Sequence, residues 1–278
     1  MVLAVAVSLV SQRRLDIRCM QALAAVVMLM FNFTVLFCRE GFPHLETSGW
    51  LVLAMLVTCG AGNYFTMDIV NFAMKRGNSG AVWGIAQSAL VMPFLMGMCF
   101  FHVEPTFPRI AGILIVLASV ALFGCARSDG RKPGRGWFLP AVAALLIAGL
   151  TQCVANLPSY WNMTTFSGTL RAIPVQCGVL LCFFAGKPFR KEKDSWRGIG
   201  WLAVTYGLAN AITLSFVFYR GLDILAKLGA GSIGYPIGQG SAIAFFAIYN
   251  TFVTHEAGKW QLWVALLLMC LGIALMSI

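Results

Sequence analysis

Long apolar runs recur along this sequence with very little polar chain between them, and that limits what it can fold into. Runs fall near residues 1–11, 19–38, 50–74, 79–101, 109–126, 137–157, 166–186, 198–219, 231–253 and 260–278. A hydrocarbon core about 30 Å thick is crossed by a helix of about 20 apolar residues, so each run except the first is long enough to span. The runs are continuous rather than alternating, which predicts helices and argues against a barrel. Pro43, Pro105, Pro108, Pro133 and Pro188 fall in the connections, where helices end. The expected fold is an all-α polytopic membrane protein of ten helices.

Composition excludes the soluble alternative. The chain is 59% hydrophobic and 11% charged, with a mean hydropathy of +0.81. Soluble domains run at about 45–50% apolar and about 25% charged. The stretch MVLAVAVSLVS at 1–11 lacks a basic leader and a clear processing site, so no cleavable signal peptide is expected. The net charge of +10 is informative through its placement. Sorted by loop, fifteen Lys and Arg fall on one side of the membrane and five on the other. Basic loops stay cytoplasmic, which predicts a protein of the cytoplasmic (inner) membrane with both termini outside. No basic face exists beyond these short loops, so nucleic acid is not an expected partner.

The chemistry-bearing residues are few. Nine cysteines form no C-x-x-C pair and read as small packing residues. His102 and His255 each flank a glutamate but lack a second ligand cluster, so neither metal nor cofactor is expected. The three histidines, His44, His102 and His255, lie in loops, and no nucleophile–base set can be assembled within the membrane. The chain is therefore not expected to be an enzyme. No Walker motif is present, so any transport would be driven by an ion gradient, by exchange or by the solute's own gradient.

Two loop acids reveal the organisation. Glu104 in FHVEPTFPRIAG and Glu256 in VTHEAGKWQLWV are 152 residues apart. The same offset carries Gln87 to Gln239, Phe94 to Phe246, Trp83 to Tyr235, Asn71 to Asp223 and Lys75-x-Gly77 to Lys227-x-Gly229. The chain thus reads as two copies of a five-helix unit, 1–126 and 137–278, joined by a basic cytoplasmic linker at 127–136. An odd number of spans per copy inverts the second copy in the membrane, the architecture of many secondary transporters. The offset carries the start of the sixth run at Trp137 to position −15, about fifteen residues ahead of this sequence, so the first helix is expected to be truncated, short and poorly anchored over 2–11. Glu104 and Glu256 are expected to be structural acids where the fifth and tenth helices begin, favoured by the helix dipole and accepting backbone N–H bonds.

These features resemble the EamA-like branch of the drug/metabolite transporter superfamily. The matching stretches are GNSGAVWGIAQSALVMPFLMGMCFFHVEPTFPRIAGILIVLASVALFG and GAGSIGYPIGQGSAIAFFAIYNTFVTHEAGKWQLWVALLLMCLGIALM. The family's usual Gly-Glu pair reads Val103-Glu104 and His255-Glu256 in this chain. The resemblance implies a ten-helix transporter, often an exporter of small metabolites, with a central cavity lined by its helices 1, 3, 4, 6, 8 and 9.

A substrate path should show as polar residues on inward faces, since lipid cannot hydrogen-bond a glutamine. In the fourth run Gly80, Trp83, Gly84, Gln87 and Ser88 share one helical face, and Ser232, Tyr235, Pro236, Gln239 and Gly240 repeat it in the ninth. The same residues also suit helix–helix packing. Pro236 should loosen its helix. The third run adds Asn63 and Asp68, the sixth Gln152 and Asn156, and the eighth Tyr206 and Asn210. Asp68 lies about 10 Å along the helix from Lys75, so it either pairs with Lys75 or Arg76 or takes up a proton. Arg171 is expected to snorkel to headgroups, the alternative being attraction of an anionic solute. The reading is a secondary transporter of a small metabolite or drug-like solute, with solute and membrane lipid as partners and a homodimer left open. The alternatives are a non-transporting membrane scaffold and an intramembrane enzyme.

Overall fold

The computed structural model describes residues 10, 15–41, 47–76, 79–126, 136–163, 166–186, 196, 198–241 and 260–276. Glu256, the first run apart from Val10, and all of the 127–136 linker except Gly136 lie outside these residues. Among the described residues the regular structure is entirely helical. The chain is an integral membrane protein by the length and polarity of these helices.

The described residues form nine helical segments. In chain order they are α1 (Ile17–Glu40), α2 (Thr47–Met74), α3 (Ser79–Gln87, a 3₁₀ turn Ser88–Leu90, then Val91–Phe100) and α4 (Phe107–Ala126). The chain continues with α5 (Phe138–Tyr160), α6 (Gly168–Gly186), α7 (Gly200–Lys227), α8 (a 3₁₀ turn Gly231–Ile233, then 234–241) and α9 (Trp260–Met276). Six of them, α1, α2, α3, α5, α6 and α7, contain a stretch long and apolar enough to cross a bilayer. In hydrocarbon every backbone N–H needs an internal partner, and a continuous helix supplies it.

The helices group into two compact units, each drawing on both halves of the chain. One comprises described parts of 69–153 and 225–278, the other described parts of 2–68 and 154–224. In the first unit α4 packs along α9. Gly112 meets the backbone of Gly272, and seven residues on Ser119 donates to the Ala265 carbonyl at 2.6 Å, seven residues back. The two helices are therefore antiparallel. A Cβ at Gly112 or Gly272 would collide with the facing helix, so only glycine allows this approach. Leu90, Phe94, Val116 and Met269 fill the core beside this crossing.

In the second unit α1 packs on α6 and α7. Asp16 caps α1, accepting the Arg18 N–H at 2.9 Å. At the other end of α1, Glu40 accepts hydrogen bonds from Ser167 Oγ at 2.6 Å and Thr169 Oγ1 at 3.0 Å. Ser167 in turn receives the Leu170 N–H, so one carboxylate ties the end of α1 to the start of α6. Gly60 of α2 abuts Val175 and Gly178 of α6, again at a distance that excludes a Cβ.

Two expectations about local structure change. Pro236 lies in the first turn of the α-helical part of α8, where a missing N–H costs little, so it does not loosen mid-helix as expected. Helix α7 instead departs from α geometry in a π-segment at Thr213–Phe218, and α1 ends in another at Leu36–Glu40. Such segments carry one extra residue per turn and concentrate at functional sites.

Candidate functional site

The second unit contains two arginine–aspartate pairs and a set of neutral polar contacts. Arg18, in the first turn of α1, reaches Asp68 near the end of α2. Its Nε donates to Oδ1 at 2.7 Å and its Nη2 to Oδ2 at 3.0 Å, so both carboxylate oxygens are engaged. Tyr64, one turn before Asp68, is buried and within electrostatic reach of the same guanidinium. Lys75 and Arg76 are not the partners of Asp68. Arg76 lies over the Phe72 ring, 3.9 Å from its centroid. The planar Arg18 guanidinium engages both oxygens of the Asp68 carboxylate at once.

Arg171, in the first turn of α6, reaches Asp223 near the end of α7. Its Nη2 donates to Asp223 Oδ1 at 2.8 Å and its Nη1 to Ser159 Oγ at 2.8 Å. The Tyr219 ring, one turn before Asp223, lies 5.7 Å from the guanidinium carbon. The Arg171 side chain is 1% exposed, so it does not snorkel. A buried guanidinium must be paired, and Asp223 and Ser159 supply the partners that headgroups were expected to supply.

The two pairs use corresponding residues. Tyr64-x-x-x-Asp68 recurs as Tyr219-x-x-x-Asp223, 155 residues later, and Arg18 recurs as Arg171 after 153. Tyrosine and aspartate at i and i+4 share one face of a helix.

Around the α7 π-segment the polar contacts are neutral. Ser215 donates to Asn32 Oδ1 at 2.6 Å, and Asn32 Nδ2 donates to the Met28 carbonyl at 2.8 Å. Asn32 is fully buried. Asn210 Nδ2 meets the Tyr206 hydroxyl at 3.3 Å, so these two expected path residues touch. Asn156, also expected on the path, is fully buried. Asn63 is exposed on α2 and joins none of these contacts.

The remaining expected residues lie in the first unit. Trp83 packs against the apolar cluster of Val70, Val82, Ala86 and Ala141, so its ring is a packing element there. Gln87 is half-buried just before the 3₁₀ turn, and Ser88 donates to the Gly84 carbonyl at 2.9 Å. Tyr235 is buried. Gln152 Oε1 and Gln239 Oε1 are both buried without a hydrogen-bond partner among the described residues. Glu104 is exposed between α3 and α4. Its main-chain carbonyl accepts the Thr106 N–H at 3.0 Å and Arg109 Nη1 at 3.2 Å. The turn before α4 is thus held by the backbone of Glu104, whereas the sequence pointed to its carboxylate.

Among the described residues no group of three or more His, Cys, Asp or Glu is placed to hold a metal ion. No protein-family profile matches the chain, and no curated protein does. Among solved structures 25 chains match. One crystal structure superposes with a TM-score of 0.73 at 17% identity, over 98% of this chain and 90% of that one. The fold is therefore shared, across nearly its whole length, with a protein of known structure.

Proposed function

We propose that the chain is a secondary transporter, an exporter of a small metabolite or drug-like solute, built as two inverted five-helix repeats and working by alternating access. The observation that carries this reading is the recurrence of one charged constellation, Arg18/Tyr64/Asp68 and Arg171/Tyr219/Asp223, in the two halves of the chain. Ionisable residues inside membrane helices are costly, and where they persist they mark solute or ion pathways. Duplication of the constellation fits a machine whose halves take the same role in turn. The antiparallel crossing of α4 and α9 agrees with halves that enter the membrane from opposite faces.

The resemblance of GNSGAVWGIAQSALVMPFLMGMCFFHVEPTFPRIAGILIVLASVALFG and GAGSIGYPIGQGSAIAFFAIYNTFVTHEAGKWQLWVALLLMCLGIALM to the EamA-like branch of the drug/metabolite transporter superfamily supports the same reading. On this reading the protein resides in the cytoplasmic membrane with its basic loops inside. Asp68 is held through both oxygens, so proton coupling through it requires Arg18 to release it.

The test compares small molecules inside cells and in the medium for cells overproducing the parent chain or an Arg171→Gln, Asp223→Asn variant at matched membrane levels. Solutes shifted by the parent and not by the variant would be the expected outcome. An unshifted profile for the parent would favour a scaffold, and Asp68→Asn leaving pH-driven transport unchanged would remove Asp68 from coupling.

A further inference from the structure

The two constellations differ in how far their valences are filled. Arg18 and Asp68 close on each other, with both carboxylate oxygens bonded. Arg171 and Asp223 do not. Among the described residues Arg171 Nε is buried without a partner and Asp223 Oδ2 accepts no hydrogen bond. The aspartate is 33% exposed while the arginine beneath it is 1% exposed. Among the described residues one donor and one acceptor at the same pair are thus unused.

A guanidinium does not lose its proton in a protein, so Arg171 needs an anionic partner in every state. If Asp223 moves away, another oxyanion must take its place. Helix α7 has the means for that movement. Its π-segment at Thr213–Phe218 ends directly before Tyr219, and Asp223 follows one turn later. A segment with an extra residue can pass that residue along the helix and rotate the turn carrying Tyr219 and Asp223. Tyr219 stays beside the guanidinium face and offers it a cation–π contact while partners exchange.

We propose that Arg171 is the solute-binding group of this transporter and that Asp223 is its exchangeable counter-ion, displaced by a carboxylate or phosphate of the solute. The proposal rests on the transporter reading and gives it a substrate class, an organic anion. In the Arg18–Asp68 pair both carboxylate oxygens are engaged by the arginine, so that pair is not the anion site.

The full chain in a maltoside detergent, which carries no phosphate, provides the test. Its melting temperature is measured with sodium succinate, sodium benzoate or sodium phosphate against sodium chloride at equal ionic strength. At least one of the three anions should raise it above the chloride value, because a ligand of the native state stabilises by mass action. Asp223→Asn removes the competing carboxylate, so the half-saturating anion concentration should fall by about tenfold or more. Thr58→Ala, at an exposed position of α2, should leave the response at the parental level. The Arg171→Gln, Asp223→Asn variant, which leaves no unpaired charge, should fold and lose the response.

If none of the three anions exceeds chloride for either parent or Asp223→Asn, the proposal is overturned. It is equally overturned if phosphatidylglycerol stabilises the chain and the soluble anions do not, since Arg171 would then be a headgroup anchor. Anion stabilisation without any solute shift in cells would leave the site standing and remove the transport reading.

Discussion

The Arg18–Asp68 and Arg171–Asp223 pairs are built from the same residue types on helices in corresponding order, yet their surroundings set them apart. Arg18 and Asp68 are both about a third exposed and satisfy each other through two hydrogen bonds. Arg171 is buried, shares its donors between Asp223 and Ser159, and among the described residues leaves Nε unpaired. Ion-pair geometry alone therefore does not give a pair its energetic weight. Burial decides whether a lost partner is replaced by solvent or leaves a bare charge.

The comparison breaks most sharply at Asp223. Asp223→Ala should cost about 3–5 kcal/mol, because it strands a buried guanidinium. Denaturant-induced unfolding of the purified chain would measure the loss, and a cost no greater than that of Asp68→Ala would erase the distinction. Pairing Arg171→Met with Asp223→Leu should recover stability to within about 2 kcal/mol of the parent, since apolar replacement of a buried pair is often neutral. Ser159→Ala removes one hydrogen bond to a charged group and should cost about 1.5–3 kcal/mol, read in the same titration. The smallest effect belongs to Arg18→Ala, at about 1 kcal/mol or less, as for other partly exposed pairs. A large loss there would show that Asp68 is more dependent on its partner than its exposure implies.

Much of the fold was legible before any coordinates. The apolar runs located the helices because hydrocarbon length and backbone hydrogen bonding leave a chain of this composition few choices. The site was less legible. A gap-free offset of 152 set Asn71 against Asp223 and hid the match of Asp68 with Asp223, which needs 155. Lys75 follows Asp68 by seven residues and Lys227 follows Asp223 by four, and that difference of three is the shift in register. Tyr-x-x-x-Asp, present twice, was the signal that would have found both constellations. Arg171 looked like an interfacial residue because it stands near the end of an apolar run, and sequence position carries no record of lateral neighbours. Trp83 and Gln87 share a face of the α-helix Ser79–Gln87 as the sequence implied, but the tryptophan packs into an apolar cluster, which sequence spacing does not reveal.

By itself the sequence determined that this is a helical membrane protein, where its helices run, and which few polar residues its interior must accommodate, because burial in lipid penalises every other arrangement. Only the tertiary structure decided which arginine meets which aspartate, since those partners come together across 50 and 52 residues of chain. It also decided that one pair closes on itself while the other keeps a donor and an acceptor unused. That difference arises from packing between helices, where a shift of one residue in register changes which atoms can reach each other.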